Sequence, residues 1–163
     1  MRERSIRRNT RLLIAAQVAL WGALGTFASQ TPIAAAELAD GERTTGLIYA
    51  TYGLSVAGAA AAVGRLMDRA GRRPGLIVSY VLLAVGGGGF ALATAAGWAT
   101  GMLLAAMPFG AGAGGALLGR TAMADMYPPE RRGRAVGLLV VAGTVGAVGA
   151  PPLTGAILDA AHH

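Results

Sequence analysis

Few side chains in this sequence could do chemistry, and most of them lie in two short charged stretches, residues 64–74 and 120–134. The first stretch packs four arginines around Asp68, and the second contains Asp125 with four more arginines. An enzyme needs polar catalytic groups, and these two aspartates are the only candidates near a membrane interface. No ATP-binding loop, catalytic triad or metal-ligand cluster appears, and the two histidines at residues 162–163 stand alone at the terminus. The residue types therefore predict no enzyme, no cofactor and no metal site.

The stretch at 64–74 reads Gly-Arg-Leu-Met-Asp-Arg-Ala-Gly-Arg-Arg-Pro and lies between two long apolar runs. Two glycines bracket the aspartate, and Pro74 opens the run that follows. This arrangement predicts a tight, positively charged turn between two membrane-spanning helices. The side of the membrane on which this turn lies then sets the orientation of the whole chain.

The composition is that of a helical membrane protein. Of the 163 residues, 54% are hydrophobic and only 13% are charged, and the mean hydropathy is +0.53. Soluble domains carry about 25% charged residues. The 26 glycines would weaken helices in water, whereas in lipid they let neighbouring helices approach closely. Because cysteine is absent, no disulfide framework is expected.

The net charge of +6 raises nucleic acid as an alternative partner. All the basic residues are arginines, and they lie in short segments between apolar runs rather than along one helix face. If the N-terminus is cytoplasmic, every arginine except Arg43 falls on the cytoplasmic side, as is typical of membrane proteins. We therefore expect a multi-pass protein of the plasma membrane with a cytoplasmic N-terminus and an extracytoplasmic C-terminus. Its partner would be the lipid bilayer and not nucleic acid.

Five spans are predicted within one transmembrane bundle at residues 12–158, and they lie at about 12–36, 45–66, 74–95, 98–119 and 135–158. Residues 1–11 would be a basic cytoplasmic N-terminus and residues 159–163 an extracytoplasmic tail. At about 1.5 Å per residue, the second span covers about 33 Å, enough to cross a hydrocarbon core of about 30 Å. A secretory signal peptide is the alternative for the first span, but the run is longer than a typical signal core and further spans follow it.

Three segments of the chain together resemble the major facilitator superfamily of secondary transporters. The first charged turn is similar to that family's signature loop between helices two and three, through Gly64, Asp68, Arg69, Gly71, Arg72 and Arg73. Residues 128–137 resemble the family's turn between helices four and five. The fifth span resembles the helix-five motif of proton-coupled antiporters, typically drug exporters, through Gly137, Gly146, Ala150, Pro151 and Gly155. Ala150 and Thr154 depart from the glycines that this motif prefers. The fold class implied is an all-α membrane protein whose five transmembrane helices resemble an incomplete N-terminal half of the family's fold.

The resemblance implies that the charged turn takes part in gating. Asp68 would lie near the N-terminal end of a helix from the second half of a transporter, where free amides and the helix dipole favour an anion. There it would help to hold the inward gate shut, and Gly64 would let two helices approach. Arg69 and Arg72 would be drawn to Asp125 at the cytoplasmic end of span four, which would couple the turn to helix movement. The alternative is that these arginines are only signals for membrane topology.

The residue types of the fifth span also predict how this helix bends and packs. Proline removes a backbone donor and bends a helix, and the small residues Gly146 and Ala150 before Pro151 allow close packing. In the family, this bend is thought to seal the outer side and to favour export. The alternative is an ordinary glycine-rich membrane helix that is kinked by proline.

Substrate-facing groups are expected to be uncharged, because no ionisable residue lies near the middle of a predicted span. The candidates are polar and aromatic side chains in spans one and two, namely Gln17, Trp21, Gln30, Tyr49 and Tyr52. Many antiporters of the family carry a buried arginine in span four, where this chain has Ala106, and Phe109 stands where glutamine is common. This half therefore lacks the usual residues of a proton or charge relay.

A complete family member has two six-span halves with the substrate between them. We expect this chain to be a fragment of a longer product, a remnant, or a half that joins a second chain. The main hypothesis is transport of a small molecule by a secondary transporter. Proton-coupled efflux is the favoured form of this transport. The alternative is a truncated or half-size membrane protein that acts as an assembly subunit or is a remnant, without transport of its own.

Overall fold

The computed structural model describes residues 2–36, 38 and 41–161, which are almost entirely α-helical. The helices are α1 (Arg2–Ala36), α2 (Gly41–Ala70), α3 (Arg72–Ala95), α4 (Ala99–Ala116), α5 (Gly119–Met126) and α6 (Pro129–Ala161). Within these described ranges no strand occurs. Five helical segments are long and apolar enough to cross a membrane, and α4 and α5 together form the fourth. The prediction of an all-α protein with five membrane spans is confirmed.

Most helices run beyond the spans predicted from hydrophobicity. The hydrophobic pattern marks only the part that lipid covers, about 20 residues, whereas a helix satisfies its own backbone and can continue into the charged interface. The fourth span continues past residue 119 to Asp125 after a turn at Leu117 and Leu118. Three residues of the predicted first loop, at 37, 39 and 40, lie outside the described residues, as do the histidines at 162–163.

The chain forms two compact units, one of residues 28–118 and one of residues 1–27 with 119–163. In the unit of residues 28–118, α4 packs against both α2 and α3. A Cβ atom placed on Gly110 would lie 2.5 Å from the carbonyl oxygen of Tyr52 in α2, and one on Gly114 would collide with the carbonyl of Val56. The small residues one turn apart on α4 therefore form a direct contact between two helix backbones.

The glycine run at 86–89 in α3 contributes one close contact rather than four. Gly86 lies against the backbone of Phe109 in α4, and a Cβ there would be 2.5 Å from the Cα of Phe109. Gly87 and Gly89 have room for a Cβ at ordinary contact distance, and no described atom lies within 4 Å of one at Gly88. Only the first glycine of the run is thus required for this helix contact.

In the other unit, the N-terminal part of α1 packs with α5 and α6. The buried centre is made of Met123, Ala135 and Leu139, with Leu13, Ile14 and Tyr127 packed against it. The hydroxyl groups of Thr10 and Tyr127 are hydrogen bonded at 2.9 Å. This bond ties the N-terminal part of α1 to the second charged stretch.

Candidate functional site

The first charged turn consists of a single residue between two helices. Gly71 joins α2 to α3 with φ 91° and ψ 166°, a backbone conformation that is essentially restricted to glycine. Its N–H donates a hydrogen bond of 2.9 Å to the carbonyl of Met67. The Met67 side chain lies directly against Gly75 at the start of α3. The turn predicted from the sequence is therefore tight because of one glycine and one close contact between the helices.

The charged side chains of this turn are exposed. Asp68 and Arg69 end α2, and Arg72 and Arg73 begin α3. Gly64 is half-buried, and no described atom lies within 4 Å of a Cβ placed on it. The described structure thus shows no close helix approach at Gly64, and the gating roles of these residues remain predictions.

The second charged stretch is ordered around two prolines. Pro129 begins α6, where its missing N–H is not needed by the helix. The N–H of Arg131 donates to the carbonyl of Pro128 at 2.9 Å, and Nε of Arg132 donates to the carbonyl of Tyr127 at 3.1 Å. Arginine therefore has a structural role here, beyond its effect on topology, because it stabilises the backbone at the entry to α6.

The small residues of the helix-five motif lie partly in an interface between α6 and α1. A Cβ on Gly146 would collide with the carbonyl of Val18, and a Cβ on Gly22 of α1 would lie 3.0 Å from that of Ala150. By contrast, no described atom lies within 4 Å of a Cβ on Gly137 or Gly155. Gly146 and Ala150 thus permit close packing, whereas the other two motif glycines have no such contact among the described residues.

Pro151 is the third motif residue in this interface. Because proline has no N–H, it cannot bond the carbonyl of Ala147, four residues earlier. That carbonyl oxygen faces Gly25 of α1, where a Cβ would lie only 2.8 Å from it. Helix α6 nevertheless continues through Pro151 and Pro152. The proline therefore frees a carbonyl at the point where α1 has a glycine to meet it.

Two of the substrate-facing candidates, Gln17 and Trp21, lie one turn apart on α1. Beside Trp21 lies Arg120 of α5, which the sequence predicted to be in the loop. The guanidinium carbon of Arg120 lies 5.8 Å from the ring centroid of Trp21, within the range of a cation–π interaction. Gly143 of α6 lies against the same indole, since a Cβ there would be 2.6 Å from Cδ1. Trp21 is thus held between α6 and the arginine of α5.

Two polar atoms of this cluster are buried and have no hydrogen-bond partner among the described residues. Gln17 is 1% exposed, and both its Nε2 and the Nε of Arg120 are buried without a hydrogen-bond partner in the described part of the chain. A buried unsatisfied donor costs about 1–3 kcal/mol. An ionisable group within a membrane span is retained for a function by default.

The environment of Arg120 was missed because the predicted fourth span ended at residue 119, six residues before Asp125. The residues from Leu117 to Ala124 are apolar or small except for Arg120 and Thr121. This pattern was the available signal that the span continues to Asp125. At about 1.5 Å per residue, Arg120 lies about 7 Å inside that end.

The other three candidates lie in the unit of residues 28–118. The hydroxyl of Tyr49 donates to the carbonyl of Ala28 at 2.8 Å. The ring of Tyr52 packs against Phe109, with centroids 6.0 Å apart and planes tilted by 39°. Gln30 is half-buried on α1. Tyr49 and Tyr52 therefore have packing roles in this structure, and their contact with a substrate remains a prediction.

No group of three or more histidine, aspartate or glutamate side chains able to hold a metal occurs among the described residues. Buried Ala106 and Phe109, at 0% and 2% exposure, occupy the part of α4 where a charged relay was considered. Within the described spans, Arg120 is the charged side chain that has a buried polar atom, Nε, without a hydrogen-bond partner.

The sequence resembles known membrane proteins over most of its length. Residues 12–162 match the sequence profile of the Major Facilitator Superfamily. Over 142 residues the chain is 30% identical to an uncharacterized MFS-type transporter, YdeG, from Bacillus subtilis strain 168. The alignment covers 86% of this chain and 33% of that relative, so the chain spans about a third of the relative's length. No solved structure gives a significant match.

Proposed function

Because the chain belongs to the major facilitator superfamily, we propose that it acts in the transport of a small molecule across a membrane. The match over residues 12–162 is the observation that carries this proposal. The family points to a transporter rather than an enzyme. Since the chain spans about a third of its relative, the transporting unit includes further helices, supplied by the same polypeptide or by a second chain.

The first charged turn is the proposed gate. The turn is one residue long and has exposed charges on both sides. In the proposed gate, Asp68 would meet a helix end from outside the described residues, where an anion is favoured. The one-residue link at Gly71 supports this role, because movement of α2 is transmitted to α3 without a flexible loop between them.

The finer proposal is proton-coupled efflux through the plasma membrane. It rests on the resemblance of the fifth span to the antiporter motif and on the close packing of Gly146 and Ala150 against α1. This interface would seal the outer side while the gate on the cytoplasmic side opens. The distribution of arginines supports a cytoplasmic N-terminus and an extracytoplasmic C-terminus.

The gate is tested by Asp68→Asn in the full transporting unit, expressed in bacteria that lack their own drug exporters. Accumulation of ethidium, with and without a protonophore, is the measurement. We expect wild-type protein to lower accumulation only while the proton gradient is present, and Asp68→Asn to lose at least about tenfold of that effect with unchanged abundance in the membrane.

The matched control is Glu42→Gln, which removes an exposed carboxylate from the other end of the same helix. It should leave efflux unchanged. Equal efflux by wild type and Asp68→Asn would remove Asp68 from the gate. If wild-type protein does not export ethidium, amine and carboxylate dyes of similar size are compared next, and failure with all of them would argue against efflux.

A further inference from the structure

The cluster of Gln17, Trp21 and Arg120 has a chemistry that the gate and the helix-five motif do not use. We propose that it binds an anionic group, such as a carboxylate, on the transported small molecule. That this molecule is transported rests on the function proposed above, whereas its binding to the cluster does not. All three side chains belong to the same compact unit.

The two unbonded atoms of this cluster are of the same kind. Nε2 of Gln17 and Nε of Arg120 are both donors, and both are buried without a partner in the described structure. An arginine is effectively always charged, so its unmet donor cannot be removed by loss of a proton. An acceptor is therefore needed, and the positive charge favours an acceptor that is negative.

The donors are positioned by helix α1 and by the indole of Trp21. Gln17 and Trp21 are four residues apart on α1, so they lie on one face of the helix. The guanidinium of Arg120 lies over the ring of that same Trp21. The indole thus fixes the arginine beside the face that carries Gln17. A planar carboxylate accepts well from a guanidinium, and an indole wall suits an apolar part of the ligand next to it.

The cluster lies within candidate membrane spans. Gln17 is 1% exposed, and Arg120 lies within the fourth candidate span rather than in the exposed turn. A charge of this kind inside a membrane span is expensive unless it is paired. Arginines that set topology lie at the ends of the spans with exposed side chains, as Arg69 and Arg73 do. The environment of Arg120 therefore separates it from the topology arginines.

The absence of cysteine from the chain allows a direct test. Gln17→Cys carries a unique thiol, and its rate of reaction is compared for two methanethiosulfonates of similar size. One has an anionic sulfonate and the other a cationic trimethylammonium group. The purified chain in detergent micelles exposes both membrane faces to the reagents. Ala96→Cys, in the uncharged connection between α3 and α4, reports the intrinsic ratio of the two rates.

We expect the anionic reagent to be favoured at Gln17→Cys by at least about tenfold over the ratio at Ala96→Cys, which corresponds to about 1.4 kcal/mol. Adding Arg120→Gln should abolish the preference. Equal rates, a preference for the cation, or no reaction in protein that retains its helix content would overturn the proposal. A carboxylate of the protein already bound to Arg120 would give one of those results.

A second measurement leaves Gln17 and Arg120 in place. The chain has two tryptophans, so Trp98→Phe leaves Trp21 as its single tryptophan, which can be excited selectively at long wavelength. Each quenching constant is divided by that of free N-acetyltryptophanamide with the same ion. On this scale iodide should quench more than caesium ion does, and Arg120→Gln should remove the difference; equal values would contradict the proposal. Neither experiment involves transport. An anion preference without ethidium efflux would reject the proposed efflux alone, and efflux without an anion preference would reject this site alone.

Discussion

Gly86→Ala should destabilise the contact between α3 and α4, and the expected size follows from the structure. The new methyl carbon would lie 2.5 Å from the Cα and 2.7 Å from the Cβ of Phe109, whereas carbon atoms pack at about 3.5–4.0 Å. The shortfall is about 1 Å. Because most of the obstruction is backbone, it can be relieved only by moving one helix away from the other. Overpacking of this kind costs about 1–3 kcal/mol.

Gly88→Ala is the matched control for this substitution. It lies two residues later in the same helix, and no described atom lies within 4 Å of its new methyl group. Both substitutions gain the same helix propensity, about 1 kcal/mol, so that term cancels between them. The difference between the two variants therefore isolates the collision with Phe109.

The assay is unfolding of the purified chain in dodecylmaltoside micelles by added SDS, followed by far-ultraviolet circular dichroism. Gly86→Ala should unfold at lower SDS than Gly88→Ala, with a difference of about 1–3 kcal/mol in the free energy of unfolding, or roughly 5- to 150-fold in the equilibrium constant. Equal midpoints, or lower stability of Gly88→Ala, would refute the assignment of Gly86 as a backbone contact.

Two further predictions concern the turns between helices. Gly71→Asn should cost about 1–3 kcal/mol in the same SDS assay, because φ 91° with ψ 166° excludes side chains. Gly97→Asn should cost less, since its φ of 62° lies in the left-handed region that asparagine tolerates; equal losses would show that backbone strain is not the cause. For orientation, Ala96→Cys should react with a membrane-impermeant maleimide in intact cells, and Ala70→Cys only after the cells are opened. The reverse pattern would invert the proposed topology.

The sequence predicted the membrane class, the five spans and the charged turns because those features are local. Hydrophobic length decides whether a helix can cross lipid, and glycine between charged residues decides where the chain turns. The spacing of Gly110 and Gly114 predicts a packing pair for the same reason, since residues one turn apart lie on one helix face. Family resemblance added the expected gate residues, whose roles depend on parts of the transporter beyond the described chain.

The environment of each contact could not be read in the same way. Four consecutive glycines look equivalent in a sequence, but only Gly86 meets the backbone of α4, because consecutive residues on a helix point about 100° apart. Hydropathy averages over many residues, and a single arginine near the end of a span was therefore assigned to the loop.

What the sequence by itself determined is thus the number of helices, their apolar lengths and the position of the turns, all of which follow from local hydrophobicity and backbone freedom. The tertiary structure alone decided that Arg120 of α5 lies over Trp21 of α1, residues separated by about a hundred positions in the chain. It also decided that Gly146 meets Val18. Such contacts depend on the rotation and spacing of packed helices, and these are set by all their side chains together.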